Sequence, residues 1–209
     1  MVDFAVIPAR TALINVDMQN CFVAGYPMSA PDGLALLERI NQLAAACRAA
    51  GILVVHTRHV LRPDGANVGV FGEIVPPAKD GFFRSDSVAV ALHPRLAVDA
   101  QDIVLDKPRY GAFHATDLEM VLRAWDIDTL IISGIATNVC CETTAREAMV
   151  RDFHVLFLSD GTATLGMGDA SADELQKATL ATLGTLFAQV LSIEEMLHKI
   201  SGAEGVVKR

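Results

Sequence analysis

A thiol, a carboxylate and an ammonium stand out in this sequence: Cys140, Asp17 and Lys107. Each falls at the end of a short apolar run that reads as a β-strand. A thiolate is a strong nucleophile near neutral pH, a carboxylate can carry its proton, and an ammonium offsets the charge. The stretch around Cys140 is the most informative. Asp128 to Ser133 reads as a buried strand, Gly134 as a turn, and a helix is expected from about Asn138, a good N-cap residue. Cys140 then lies in the first helical turn, where the dipole and unpaired backbone N–H groups lower a thiol pKa and can hold an oxyanion. A strand, a tight turn and a helix is a recurrent way to expose a reactive atom. The competing reading is that Cys140 and Cys141 are ordinary buried cysteines, Asp17 a turn residue and Lys107 a solvated surface lysine.

The elements that must position these groups alternate. Strands are expected at Thr11–Val16, Ile52–Thr57, Asp102–Leu105, Asp128–Ser133, Phe153–Leu158 and Gln189–Leu191. Helices are expected at Pro31–Ala50, Thr116–Trp125, Asp173–Phe187 and Ser192–Ile200 besides the one after Cys140. Ser192 with Glu195 makes a capping box, and the tail from Ser201 reads as frayed. The βαβα order predicts a single α/β domain over 1–209, with a core at about 11–191. It is a three-layer α/β/α arrangement around a mostly parallel sheet of five to six strands. Ligands of such sheets sit at the C-terminal strand ends, where Asp17, Lys107 and Cys140 fall. Between Arg62 and Phe83 the chain is rich in Pro and Gly, a long loop that can wall a pocket with Phe71, Phe82 and Phe83.

Composition bounds the function. The chain has 209 residues, 52% hydrophobic and 20% charged, which is globular and not disordered. A net charge of −8 and no Lys/Arg run argue against a nucleic-acid partner. No apolar run is long enough for a membrane span, and no export signal is evident, so the cytoplasm and reduced thiols are expected. Cys21, Cys47, Cys140 and Cys141 have neither disulfide nor zinc spacing. His56 and His59, three apart near a strand end, do not make a metal-ligand set, so no metal is expected.

Three stretches, in order and each at a strand end, resemble the isochorismatase-like cysteine hydrolase superfamily, a Rossmann-like fold. They are Asp17-Met18-Gln19-Asn20 with Phe22, then Lys107 followed by Arg109-Tyr110-Gly111-Ala112-Phe113, and Gly134-Ile135-Ala136-Thr137-Asn138-Val139-Cys140 continuing to Thr144-Ala145. The resemblance covers nearly the whole chain. It implies Asp17 as general base and later acid, Lys107 as its electrostatic partner and Cys140 as nucleophile. It also implies a non-proline cis peptide at Ile135–Ala136, with the Ala136 and Cys140 N–H groups as oxyanion hole. No cofactor is implied. Within the superfamily the residues favour the N-carbamoylsarcosine, ureidoacrylate and biuret amidohydrolase branch. The metal site of nicotinamidases is not recognisable after the second strand, and a nucleophilic Cys is not needed for vinyl-ether hydrolysis.

The expectation is therefore a hydrolase of carbon–nitrogen bonds other than peptide bonds, acting on a small linear amide or ureido compound through a thioester. By the same resemblance it is a homo-oligomer, a dimer or tetramer. Gln19, Phe22, Arg58, Tyr110, Phe113 and Gln176 are the candidate substrate-binding residues, with Arg84 and Arg109 further candidates to meet a carboxylate. The alternatives are a vinyl-ether hydrolase, a nicotinamidase, or an idle redox or ligand-binding protein using Cys140 and Cys141.

Overall fold

The computed structural model describes residues 2–207, with side chains to residue 203. Six strands form one all-parallel sheet: β1 (Thr11–Val16), β2 (Leu53–His59), β3 (Ile103–Lys107), β4 (Thr129–Ile135), β5 (His154–Ala163) and β6 (Gln189–Leu191). Their order across the sheet is β3-β2-β1-β4-β5-β6. β1 and β4 are buried along their whole length, as strands apolar on both faces must be in a doubly covered sheet. Seven α-helical segments accompany them: α1 (Asn20–Val23), α2 (Gly33–Ala49), α3 (Phe71–Ile74), α4 (Leu118–Ala124), α5 (Glu142–Met149), α6 (Ala172–Leu186) and α7 (Ile193–Val207).

Alternation along the strands sorts the core into two layers. Ala12, Ile14, Leu130, Ile132 and Phe157 pack with Leu122 of α4, Ala145 of α5 and Leu183 of α6. Leu13, Ile131 and Leu156 pack on the other side with Leu43 and Cys47 of α2 and Met196 of α7. Leu36, Leu37, Ile40, Leu43, Ala44 and Cys47 recur at steps of three and four, and all are buried, so α2 lays one stripe on the sheet. The three-layer reading is thus borne out, with six strands and every pairing parallel.

The polar groups buried inside the sheet are paired across it. The Ser133 hydroxyl donates to Asn15 at 2.6 Å, and the Asn15 amide meets His56 Nδ1 at 3.3 Å. His56 Nε2 reaches Asp102 at 3.0 Å, and Arg48 holds the same carboxylate at 2.5 Å. A fully partnered chain of this kind avoids the penalty of an orphan polar group.

Several boundaries differ from the sequence reading. β2 runs on to His59 and β3 to Lys107, and these two residues are register partners. β4 does not turn at Gly134 but continues to Ile135. Gly134 is needed for a different reason: a Cβ there would lie 2.0 Å from the Val16 carbonyl oxygen, and its φ is +121°. Glycine lets β4 approach β1 where a side chain cannot fit. β5 likewise continues past Leu158, through an irregularity, so that Thr162 and Ala163 pair with Gly134 and Ile135. Asn138 is not a cap. Ala136 precedes a π-helical turn over Thr137–Cys141, which leads into α5. Such turns widen the backbone locally and are frequent at functional sites. α6 begins with a capping box of Ser171 and Glu174, and α7 extends seven residues beyond the expected Ile200, so only 208–209 of the tail lie outside the described residues.

Gly134→Ala combines a backbone clash with a left-handed φ, and should destabilise the protein by about 3 kcal/mol or more. Urea denaturation measures this, and a loss below about 0.5 kcal/mol, the ordinary surface value, would show that the β1–β4 contact yields.

Candidate active site

From β1 the chain moves outward to β2 and β3, and from β4 it moves the other way to β5 and β6. The sheet's switch point therefore lies between β1 and β4, the position where open parallel sheets bind ligands beyond their C-terminal ends. Asp17 follows β1, and the segment leading to Cys140 follows β4.

Asp17 takes a left-handed conformation, with φ of +53°, which Asp tolerates better than most residues. Its N–H donates to the Thr57 carbonyl at 3.2 Å, and the Thr57 hydroxyl donates to Asp17 Oδ1 at 2.7 Å. Asp17 Oδ2 lies 2.7 Å from Lys107 Nζ and has no further hydrogen bond, so a lone pair remains to receive a proton. Both side chains of this ion pair are completely buried. Lys107 Nζ also donates to the Arg109 carbonyl at 3.0 Å. Burial alone works to lower the lysine pKa, but the Asp17 carboxylate and Cys140 outweigh it, and the ammonium is held above its ordinary value.

The Ile135–Ala136 peptide is cis, as the resemblance implied. The Ala136 backbone amide acts to lower the Cys140 pKa, as Lys107 does by its charge. These are not the largest effects. Burial pushes the Cys140 thiol up to about 12, and the Asp17 charge adds to the rise. The expected helix-terminus thiolate is thus corrected. Cys140 is 6% exposed and sits in a tight buried turn, so the proton stays on sulfur until a base removes it. Cys21, Cys47 and Cys141 are also free and buried.

A cavity of about 250 Å³ opens beside Cys140. Larger hollows exist, including one of 590 Å³ near Arg48 and Trp125, but no cysteine lines them. Phe22 and Tyr110 line the Cys140 cavity as expected, together with Phe71 and Phe83 of the long loop. Phe82 instead packs edge-on against Tyr26.

Other candidates lie elsewhere. The Gln19 amide is occupied by the His59 backbone and the Val90 carbonyl, at 2.7 Å in its shortest bonds. Arg58 pairs across the strands with Asp106 at 2.7 Å. Phe113 stacks on Phe153 in the core. Gln176 donates to the Ser159 carbonyl at 2.8 Å and borders a separate hollow. Arg109 holds the carbonyls of Pro108 and Asn67 at 2.6 and 3.0 Å, and Arg84 lies over Gly81, away from the cavity.

His59 was missed. Its ring forms part of the cavity wall, yet in the sequence it is visible only as half of a histidine pair with no metal-site companions. Among the described residues no group of three or more His, Cys, Asp or Glu side chains is arranged to hold a metal ion.

The fold and site together define a hydrolase with an acid, a lysine and a cysteine at the strand ends. An isochorismatase domain model matches residues 11–195. The ureidoacrylate amidohydrolase RutB of Methylorubrum extorquens AM1 is 34% identical, over 93% of this chain and 84% of its own. That of Yersinia enterocolitica is 32% identical, over 92% and 90%. The crystal structure of a cysteine hydrolase from Pseudomonas syringae pv. phaseolicola 1448A is 36% identical and superposes with a TM-score of 0.90, covering 97% of each chain. The chain belongs to the isochorismatase family. These relatives bear out the expectation of a hydrolase acting on carbon–nitrogen bonds other than peptide bonds.

Because the Cys140 pKa is raised, its alkylation by iodoacetamide should keep accelerating with pH through about 10, without the plateau expected near 8.5 for a free thiol. Mass spectrometry of the Cys140 peptide across a pH series reads this out. A plateau below about pH 8 would contradict a proton held on sulfur at rest.

Proposed function

We propose that the protein is a cysteine-dependent amidohydrolase that cleaves a small linear amide or ureido compound through a thioester. The observation that carries this is the buried Asp17–Lys107 pair at 2.7 Å, with one carboxylate lone pair unused and both charges acting on Cys140. Asp17 takes the thiol proton while Lys107 offsets the charge on the carboxylate and on sulfur. Cys140 Sγ attacks the carbonyl carbon, and the resulting oxyanion is received by the N–H groups of Ala136 and Cys140. The proton on Asp17 passes to the leaving nitrogen as the C–N bond breaks, releasing ammonia or an amine. Water then gives a proton to Asp17 and attacks the thioester. The C–S bond breaks, and the proton returns to sulfur.

Each step uses groups this chain supplies, so no cofactor enters. The ureido compound named for the relatives supports the substrate class. Free thiols at all four cysteines fit a reducing cytoplasm. Exposed Val70, Ile74 and Val88 on the segment that walls the cavity fit burial against a second copy, in keeping with a dimer or tetramer.

Ammonia release from a panel of amides and ureides tests the reading. The wild type should turn over at least one member, Cys140→Ala none, and Asp17→Asn should lose about 10²–10⁴-fold in kcat, the usual worth of a positioned acid–base. Undiminished turnover by Cys140→Ala would remove the thioester route.

A further inference from the structure

The cavity beside Cys140 has no charged side chain in its wall. Apart from the thiol, its polar groups are His59 and Tyr110, and the remainder is aromatic and aliphatic. Lys107, Arg58 and Arg109 are already engaged, by Asp17, by Asp106 and by the carbonyls of Asn67 and Pro108, and Arg84, whose Nε has no partner, is not part of the wall. A carboxylate entering this cavity would give up its hydration and find no partner, which is strongly unfavourable. An uncharged acyl group loses little and gains the apolar wall.

His59 supplies a buried, directional acceptor in this wall. Its Nδ1 lies 3.3 Å from the Arg109 carbonyl, the same oxygen that accepts from Lys107 Nζ at 3.0 Å. A carbonyl only accepts, so Nδ1 carries the hydrogen and the neutral ring presents a lone pair at Nε2. Burial, with help from Lys107, lowers the His59 pKa to about 4, so the ring is neutral at ordinary pH. Nε2 is buried and has no hydrogen-bond partner, an omission that native interiors rarely tolerate without a reason.

The ring is also locked in place. Phe71 and Phe83 meet it edge-on, each at 5.0 Å between centroids, and Tyr110 stacks on it at 6.1 Å. Gln19 clamps its backbone, accepting from the N–H at 2.7 Å and donating to the carbonyl at 3.2 Å. A lone acceptor this well held is pre-organised for a donor that the protein itself does not provide.

We propose that this site selects an uncharged amide or ureide, and that His59 Nε2 accepts a hydrogen bond from the scissile N–H, setting the carbonyl carbon against Cys140. This deepens the amidohydrolase reading and rests on it. It separates this chain from relatives named for ureidoacrylate, whose name denotes a carboxylate. His59 is a positioning residue. It contributes orientation and selectivity, while proton transfer stays with Asp17.

The test pairs each neutral amide or ureide with its chain-matched carboxylate analogue, butyramide with succinamate for example, and adds p-nitrophenyl butyrate, an ester with no N–H. Wild type, His59→Phe and His59→Gln are assayed on all of them. Neutral members should exceed their carboxylate partners in kcat/KM by about 100-fold or more, as an unpaired buried charge demands. His59→Phe keeps the ring packing and should lose about 10–100-fold on amides, while ester turnover changes by less than about twofold. His59→Gln retains an acceptor and should recover part of the amide rate. Ester turnover also shows that each variant is folded.

Carboxylate analogues turned over as well as their neutral partners, or equal losses on amide and ester in His59→Phe, would overturn the proposal while leaving the amidohydrolase reading intact. Failure of p-nitrophenyl butyrate to acylate Cys140 in wild type would instead strike the amidohydrolase reading, and the proposal with it.

Discussion

A lysine ammonium with no exposed surface must be answered by an anion, and the upper edge of this sheet is arranged to answer one. Lys107 is the largest fully buried side chain in the protein. It ends β3, whereas its partner Asp17 follows β1, and β2 lies between them. Two inter-strand spacings amount to about 10 Å, a span that a long unbranched chain crosses and a short one does not. Arginine would bring a broad fork of five donors that this pocket has too few acceptors to satisfy. A buried pair of this sort is a poor device for stability, since desolvation offsets much of its attraction, and removing one partner typically costs about 3–5 kcal/mol. Its place here, with one carboxylate lone pair left over, fits the proposed chemistry better than a role in folding.

The same burial fixes how the nucleophile is made. In water a thiol with a low pKa would be partly ionised at rest. Here the thiol is raised to about 12 and keeps its proton. On the proposed mechanism the nucleophile is generated in step with attack, with Asp17 as the base. Lys107 makes this feasible because its charge favours the thiolate at the moment it forms, and Ala136 N–H acts in the same direction. An N–H that stabilises charge on sulfur is also close to where charge appears on the carbonyl oxygen. The π-helical turn at Thr137–Cys141 follows Ala136 directly and carries Cys140.

Much of this was legible in the chain. β1 falls where its apolar run places it, because a strand buried on both faces leaves an uninterrupted pattern, and the partly buried edge strand β6 also keeps its expected bounds. Asp17 and Lys107 were visible as polar residues closing such runs. What was not legible depends on contacts distant in sequence. Gly134 reads as a turn signal, yet its role is set by the Val16 carbonyl more than a hundred residues earlier. Asn138 has the composition of a cap, but its side chain accepts instead from the Thr164 hydroxyl at 2.5 Å. Arg58, Phe113 and Gln176 are plausible ligands by type and become structural by neighbourhood, since Asp106, Phe153 and the Ser159 carbonyl lie on elements that periodicity alone cannot bring near. His59 was hidden for the opposite reason: its environment comes from a Pro- and Gly-rich loop whose fold leaves no periodic trace.

That loop separates two tasks. The reacting groups come from strand ends and the turn after β4, the most heavily buried part of the chain. Much of the cavity wall comes from residues 59–90 and 165–167, which supply Phe71, Val75, Phe83, Leu165 and Met167 beside Phe22 and Tyr110. The wall segment has an apolar cluster of its own, with Leu61, Phe71, Ala78, Phe83 and Val90 packed together. It is pinned back to the sheet by Arg109, which holds the Asn67 carbonyl, and by Gln19, which joins Val90 to the end of β2. Substitutions within that cluster can reshape the cavity while leaving in place the partners of the Asp17–Lys107 pair, Thr57 and the Arg109 carbonyl, which lie outside it. Selectivity is therefore free to vary on a segment that is packed but separate, while the burial that sets the chemistry stays with the sheet.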